Sequence, residues 1–412
     1  MVGMDPTQPC QDPCAEAAGK DKALANGARD LSSAYGQDQV SRPGTDCATR
    51  APGMTDVANR FDRYGAALPS ARAANDLNQL QDKDAFSGSA PDCLERLPLN
   101  ADALNRELGI PADSPNAITD QDLRNDKIGH RSAIFRSKAD GRLIMVSRDT
   151  QPDTLVDWKT NIDNGRGMAT DQYAATRRLA TKMNASGQTF DIGGYSKGGG
   201  LAQEAGLLSP NSNVYVFNSA GLHENSLGRT GQAGFDDLAR RTSSFSAEED
   251  FLTFMNTTTD PAREVRNAEY LRGQLAGDNW PAPMEILYEN PEHKELAGKR
   301  SWFDGDLRKQ KKLAQEAFEA KRQEFFESVD EMINSARATE GYDRLFPPVR
   351  SGTHDTIPNS MTWTSRRLGA EGPEASLGKL NQHKMDKVLP AMETQHDADR
   401  ATLQKFLDDC GS

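Results

Sequence analysis

The chain contains no apolar run approaching the roughly 20 residues that a membrane-spanning helix needs. Only 36% of its 412 residues are hydrophobic, and mean hydropathy is -0.73. Met1 to Cys14 shows neither a basic stretch nor an apolar core, so ordinary export through a secretory leader is not expected. Positive charge is outweighed, with 49 Lys and Arg against 61 Asp and Glu and a net charge of -12, which argues against a nucleic-acid partner. Histidine is scarce, at six residues. Cysteine is present at 10, 14, 47, 93 and 410, but neither its spacing nor the histidine supply makes a zinc set. The odd count leaves at least one thiol free or paired with another chain. The Gly-Lys-Ser/Thr order of a phosphate-cradling loop is missing, and so is the glycine spacing of a dinucleotide fingerprint. The expectation is an enzyme that needs no cofactor and no metal.

What is present is Gly194-Tyr195-Ser196-Lys197-Gly198. It follows the short apolar stretch Phe190-Asp191-Ile192 and precedes the helix-like Leu201-Ala202-Gln203-Glu204-Ala205. Gly-x-Ser-x-Gly between a strand and a helix is the pattern of a nucleophile elbow, in which the serine sits on a sharp, strained turn and its neighbours must be nearly without side chains. The same turn leaves the Lys197 N–H at a helix N-terminus, aimed where negative charge would grow on an attacked carbonyl oxygen.

Upstream, Ser132 to Arg136 and Arg142 to Ser147 read as two strands joined by Ala139-Asp140-Gly141, and Asp-Gly is a strong hairpin signal. The second strand runs into Arg148-Asp149-Thr150, then Asp153-Thr154-Leu155-Val156-Asp157-Trp158. A strand, a polar turn and then Asp-Trp resembles the class 3 lipases and their bacterial relatives, whose strand ends in Phe-Arg-Gly-Thr/Ser and whose next loop carries Thr-x-x-Asp-Trp. The resemblance covers Asp126 to Leu222 and implies an α/β-hydrolase-like fold, with Thr150 as second oxyanion donor beside Lys197 and Trp158 as the loop's anchor. Asp149 stands where the family usually has Gly, and Asp is one of the few residues that tolerate a left-handed backbone.

A serine needs a base and an orienting acid, in the chain order Ser, Asp/Glu, His. Thr242 to Ala247 reads as a strand with Glu248-Glu249-Asp250 at its exit. Asp250, followed by apolar residues, best matches the family's acid; Glu249 and Glu248 are its rivals. For the base, His354 lies between Pro347-Pro348 and Pro358 on what reads as a loop. His223 precedes every acid candidate, and His293, His383 and His396 sit in strongly charged stretches. The expected triad is Ser196, Asp250 and His354.

Residues 1–90, rich in Ala, Asp, Gln, Gly and Pro, read as a flexible, partly helical region. Residues 91–365 read as the hydrolase domain, a largely parallel sheet with flanking helices. A helical insertion is expected at about 303–340, and residues 366–412 as a charged tail. In the insertion, Phe318, Phe325 and Phe326 beside lysines suit a packed surface helix or a lid that meets an anionic membrane surface. The expected function is a serine esterase acting on lipid acyl esters, most closely a phospholipase of the A type. A polar N-terminal region with a Gly-x-Ser-Lys-Gly-Gly elbow resembles bacterial lipase effectors delivered into rival cells. That implies synthesis in the cytoplasm, export by a specialised secretion system, action at the target-cell envelope, and a cognate immunity protein. Two alternatives stay open: a hydrolase of soluble esters or peptides with the same triad, and a catalytically silent binding module of the same fold.

Overall fold

The computed structural model describes residues 12–37, 46–80, 85–150, 155–165, 167–248, 250–257, 347–357 and 385–411, with scattered helical residues between 262 and 337. Two long helices come first, α1 (Pro13–Gly36) and α2 (Cys47–Leu80). Strand β1 (Leu94–Arg96), the short helices α3 (Ala101–Glu107) and α4 (Asp120–Leu123), and the two-residue β2 (Arg124–Asn125) lead into the hairpin of β3 (His130–Ser137) and β4 (Leu143–Ser147). Helices α5 (Leu155–Gly165) and α6 (Asp171–Ala185) precede β5 (Phe190–Tyr195) and α7 (Lys197–Leu207). The chain continues through β6 (Val214–Phe217), α8 (Leu227–Arg241), β7 (Thr242–Ala247), α9 (Phe251–Thr257), β8 (Thr353–Ile357) and finally α10 (Met385–Cys410).

The sheet order is β1-β3-β4-β5-β6-β7-β8, with β2 pairing only with β3. From β4 to β8 every pairing is parallel, and β1, β3 and β4 pair antiparallel. This is the largely parallel sheet with flanking helices that the alternation of strand and helix patterns predicts. Strands β3 to β7 bury both faces, and their alternate residues sort into two cores. Ile134, Met145, Ile192 and Val216 pack with α3, α6, α7 and α8. Phe135, Val146, Tyr195, Phe217, Phe245 and Ile357 pack with α2 and α10.

Helices α1, α2 and α10 are built into the domain. Composition poor in bulky apolar residues reads as flexible or short-helical, yet α1 and α2 are 24 and 34 residues long. Alanine explains the difference. Ala25, Ala28, Ala51 and Ala58 are buried in a third core shared with Leu403 and Phe406 of α10. Ala67, Ala71 and Ala74 bring α2 onto the sheet, close enough that a Cβ on Gly193 would sit 3.0 Å from Ser70 Cβ. Small side chains allow helices to approach closely, at little entropic cost. Bidentate pairs add direction, with Arg63 to Asp355 of β8 at 2.7 Å and Arg96 of β1 to Asp76 at 2.7 Å. Disulfides Cys14–Cys93 and Cys47–Cys410 close the bundle; Cys10 lies outside the described residues. In the helical insertion, Phe325, Val329 and Ile333 are buried on one face. Phe326 meets the guanidinium groups of Arg272 and Arg322, while Phe318 lies outside the described residues. None of the described helices is long and apolar enough to cross a membrane.

Candidate active site

Ser196 follows the last residue of β5 and precedes the first of α7. Its backbone stands at φ 54 and ψ -124, a conformation that L-residues adopt only where the surroundings impose it. The imposing contacts are backbone. Ser196 N–H donates to the Phe217 carbonyl at 3.0 Å, and its own carbonyl accepts from Gly199 and Ala220 at 3.0 and 2.9 Å. A Cβ on Gly194 would overlap the Gly198 carbonyl, and one on Gly198 would overlap that of Ser147 at the end of β4. Strand, serine and helix can come this close only with glycine at both positions, as the motif requires.

Thr150 and Asp149 follow β4, next in the sheet to the elbow's strand. Asp149 N–H donates to Asn78 Oδ1 of α2 at 3.3 Å, and Asn161 Nδ2 of α5 donates to Thr150 Oγ1 at 2.9 Å. Among the described residues the non-glycine positions with positive φ are Cys93, Ser196 and Asn218. Asp149 is not one of them, so the glycine of the family pattern is not needed here for backbone conformation. The side chain of Trp158 lies outside the described residues.

Of the three acid candidates, Asp250 is buried and Glu248 is exposed, while Glu249 lies outside the described residues. Asp250 caps α9, accepting from Thr253 N–H at 2.7 Å. It also lies near Tyr195: burial, with the charges of Asp149, Asp250 and Asp386, holds the Tyr195 hydroxyl well above its ordinary pKa, and the Met385 backbone N–H donates to that hydroxyl.

His354 is not brought to Ser196. It occupies the second position of β8, level with Ser244, Val216 and Gly194 across the sheet, and its Nδ1 is 3.3 Å from Ser244 Oγ. Three strand spacings of about 4.8 Å separate it from the elbow's strand, about 14 Å in all, whereas a base must lie within hydrogen-bond reach or one water of its nucleophile. The flanking prolines suggested a loop; the β-branched residues Thr353, Thr356 and Ile357 make it an edge strand. His223 follows β6, accepts from Asn225 N–H at 3.0 Å and lines a cavity of about 100 Å³ with Asn164, Tyr173 and Arg177. His396 stacks on Phe61 at 4.2 Å. His130 is buried and bonded to the Asp122 carbonyl. His293 and His383 lie outside the described residues.

Sequence reasoning missed the polar framework around the elbow. Lys197, the residue after the serine, has a fully buried side chain paired with Asp157 of α5. Burial pushes its pKa down, with Asp157 opposing. Gln203 of α7 donates to the Ala220 carbonyl at 2.8 Å and accepts from Arg350 N–H at 2.8 Å, tying the elbow helix to two loops. The signal was available in the polar residues recurring at helical spacing in α5. Among the described residues, no group of three His, Cys, Asp or Glu is arranged to hold a metal ion.

The parallel sheet with a strained serine turn after its central strand defines an α/β-hydrolase-like protein. Residues 100–292 match the family model of the Tle-like phospholipase domain, which is consistent with a bacterial phospholipase effector family and supports a phospholipase-type lipid hydrolase. The matched stretch runs from the start of α3 past β7 and includes Thr150, Ser196 and Asp250. No curated protein matches the chain.

Proposed function

We propose that the protein is a serine phospholipase that cleaves an acyl ester of a phospholipid through an acyl-enzyme on Ser196. The observation that carries this reading is the backbone of Ser196, held at φ 54 and ψ -124 between two glycines that admit no side chain. Strain of roughly 1–3 kcal/mol persists where it serves a site, and lifting an oxygen out of a strand-to-helix turn is a use that accounts for it. In the reaction the Ser196 hydroxyl gives its proton to a histidine as the oxygen attacks the ester carbonyl. The N–H groups of Lys197 and Thr150, with the Thr150 hydroxyl, take the charge on the oxyanion. The intermediate collapses, expelling the lysophospholipid oxygen, which takes the proton back from the imidazolium. Water then repeats the cycle on the acyl-enzyme and releases the fatty acid.

Asp250 is the proposed acid, because of the two candidates among the described residues it is the buried one. For the base the proposal moves from His354 to His383, which follows β8 in the chain, the position the Ser, acid, His order calls for. The membrane surface would be the site of action. Delivery as an antibacterial effector, with an immunity protein guarding the producer, is the biological setting proposed from the resemblance.

The test combines fluorophosphonate labelling with hydrolysis of phospholipid vesicles. Ser196→Ala should lose labelling and several orders of magnitude in rate while remaining folded. His383→Ala should be about as damaging, and His354→Ala should stay within severalfold of wild type. Full activity in Ser196→Ala would overturn the serine mechanism, and an inactive His354→Ala beside an active His383→Ala would restore His354 as base. A soluble short-chain ester run in parallel separates a lipase from a hydrolase of soluble substrates.

A further inference from the structure

The cavity of about 100 Å³ that His223 lines, the volume of about three waters, has no part in the chemistry assigned to Ser196. Two loops wall it, one between α5 and α6 and one after β6. Hydrogen bonds lock the loops together. Asn225 Nδ2 donates to the Gly167 carbonyl at 3.0 Å and Asn164 Nδ2 to the Gly221 carbonyl at 3.1 Å, and a Cβ on Gly167 would overlap the His223 ring. Tyr173 joins the cavity to the nucleophile's helix: it lines the cavity, and its Oη is 2.5 Å from where a Cβ on Gly200 would stand. Gly200 is about one helical turn, roughly 5 Å, past Ser196.

The walls supply donors. Among the described residues that line the cavity, Arg177 is the permanently charged one and none is acidic. One of its nitrogens donates to the buried carboxylate of Glu204 at 2.7 Å, which anchors a guanidinium that carries several further N–H groups. Asn225 N–H donates to His223 Nδ1 at 3.0 Å, so the hydrogen of the neutral ring is on Nε2, a donor. Thr170, also in the lining, caps the N-terminus of α6, the positive end of a helix dipole. Met168, in the same lining, is 48% exposed, the large apolar side chain most open to solvent among the described residues. Donors beside an exposed apolar side chain fit an amphiphile better than a free anion.

We propose that this cavity takes the phosphate of the phospholipid headgroup, with Arg177 and His223 as its ligands. The proposal deepens the serine phospholipase reading and takes its substrate class from it. In a glycerophospholipid the phosphate is a few bonds from the ester carbonyls, so a phosphate held about one helical turn from Ser196 brings an ester to the nucleophile. A diacylglycerol has no such group to hold.

Calorimetry on the full-length chain measures binding of monomeric dihexyl ether phosphatidylcholine, which has no ester to cleave, and of inorganic phosphate. Arg177→Gln/Glu204→Gln replaces the ion pair with neutral amides of similar shape and should weaken ether-lipid binding about 10- to 100-fold, the scale of a lost charge-assisted hydrogen bond. His223→Leu should weaken it severalfold. Hydrolysis is the second readout: kcat/KM on monomeric dihexanoyl phosphatidylcholine should fall by a matching factor in each variant, while on dihexanoylglycerol it stays within about twofold of wild type. A merely structural role would lower both substrates together. If the double variant fails to melt cooperatively, His223→Leu on the loop after β6 carries the test. Equal losses on the two substrates, or unchanged ether-lipid binding in the variants, would overturn the proposal. Inorganic phosphate binding as tightly as the ether lipid would assign the cavity to a free anion and overturn it as well. An active Ser196→Ala would overturn the serine mechanism alone, because ether-lipid binding does not involve the nucleophile.

Discussion

Gly198→Ala separates the packing of the elbow from helix propensity, because the two predict opposite signs. Gly198 lies in the first turn of α7 and is not among the glycines with positive φ, so propensity alone would make alanine more stable by about 1 kcal/mol. The added Cβ, however, would lie within 3.0 Å of the Ser147 carbonyl oxygen, and that oxygen belongs to backbone at the end of β4, not to a side chain that could swing away. Relief requires the first turn of α7 to retreat from β4 by about 1 Å, an overpacking cost of about 1–3 kcal/mol. The same retreat carries Ser196 and the Lys197 N–H away from Thr150, and a misplacement of that size costs about 100-fold in rate. Gly19 of α1 is the internal control: nothing lies within 4 Å of its Cβ position, so Gly19→Ala should gain about 0.4–1 kcal/mol. Urea denaturation gives the stability of each variant, and the fluorophosphonate labelling rate reads the elbow without involving a lipid interface. Gly198→Ala with unchanged stability and wild-type labelling would refute the close approach of β4 and α7 on which the elbow argument depends.

Two further outcomes are expected. Cys47 and Cys410 are 363 residues apart, and closing so long a loop in the unfolded chain is worth on the order of 5 kcal/mol by chain entropy; Cys47→Ser/Cys410→Ser should therefore shift the denaturation midpoint strongly, and a loss below about 1 kcal/mol would show that α1, α2 and α10 hold together without the bond. Burial, aided by the charges of Lys197 and Arg178 and opposed by the bond to the Asp122 carbonyl, pushes His130 down to about 4. A depressed histidine pKa gives stability that is present above the ordinary value near 6.5 and is lost as pH falls toward 4, about 3 kcal/mol when complete. Melting curves between pH 7 and pH 4 should fall less steeply in His130→Gln than in the wild type, and equal slopes would rule out His130 as a source of acid sensitivity.

The parts of the structure made by local chemistry were readable from the residues, and the parts made by long-range contact were not. The Asp140-Gly141 hairpin places β4, and the glycines around Ser196 place the elbow, because each backbone shape demands particular residues within a few positions. The strand that carries His354 was read as a loop for a local reason as well: prolines on either side outweighed the β-branched Thr353, Thr356 and Ile357. The helices α1 and α2 were unreadable because their cores are alanine, which a hydropathy reading counts as weak even where close packing makes it effective. The disulfide from Cys47 to Cys410 joins residues that no spacing rule connects, and five cysteines allow too many pairings to choose among. Asp157 and Asn161 show the remaining gap. Their helical spacing was visible, but a polar stripe ordinarily faces water, and only the sheet topology turns this one toward the elbow.

The terminal helices bear on the chemistry because a strained serine needs support from both faces of the sheet. On the α7 face, Gly199 and Gly200 leave no room beside Ser219 and Tyr173, and Gln203 and Asn256 hold the loop after β6 through the Ala220 and Ser219 carbonyls. On the other face, Gly193 lies against Ser70 of α2, Asn78 of α2 holds Asp149, and the start of α10 bonds Tyr195. Strain is retained only where the surroundings over-determine it. The family match at residues 100–292 takes in the first set of supports and leaves out α2 and α10, which supply the second. A fragment cut to the matched residues would keep Gly194, Ser196 and Gly198 in sequence but would lose one wall of the turn, together with β8 and half of the apolar cover of the sheet. Helices α2 and α10 are therefore part of what holds Ser196 in its strained conformation, and the two disulfides fasten that layer at the Cys93 loop before β1 and at the far end of α10.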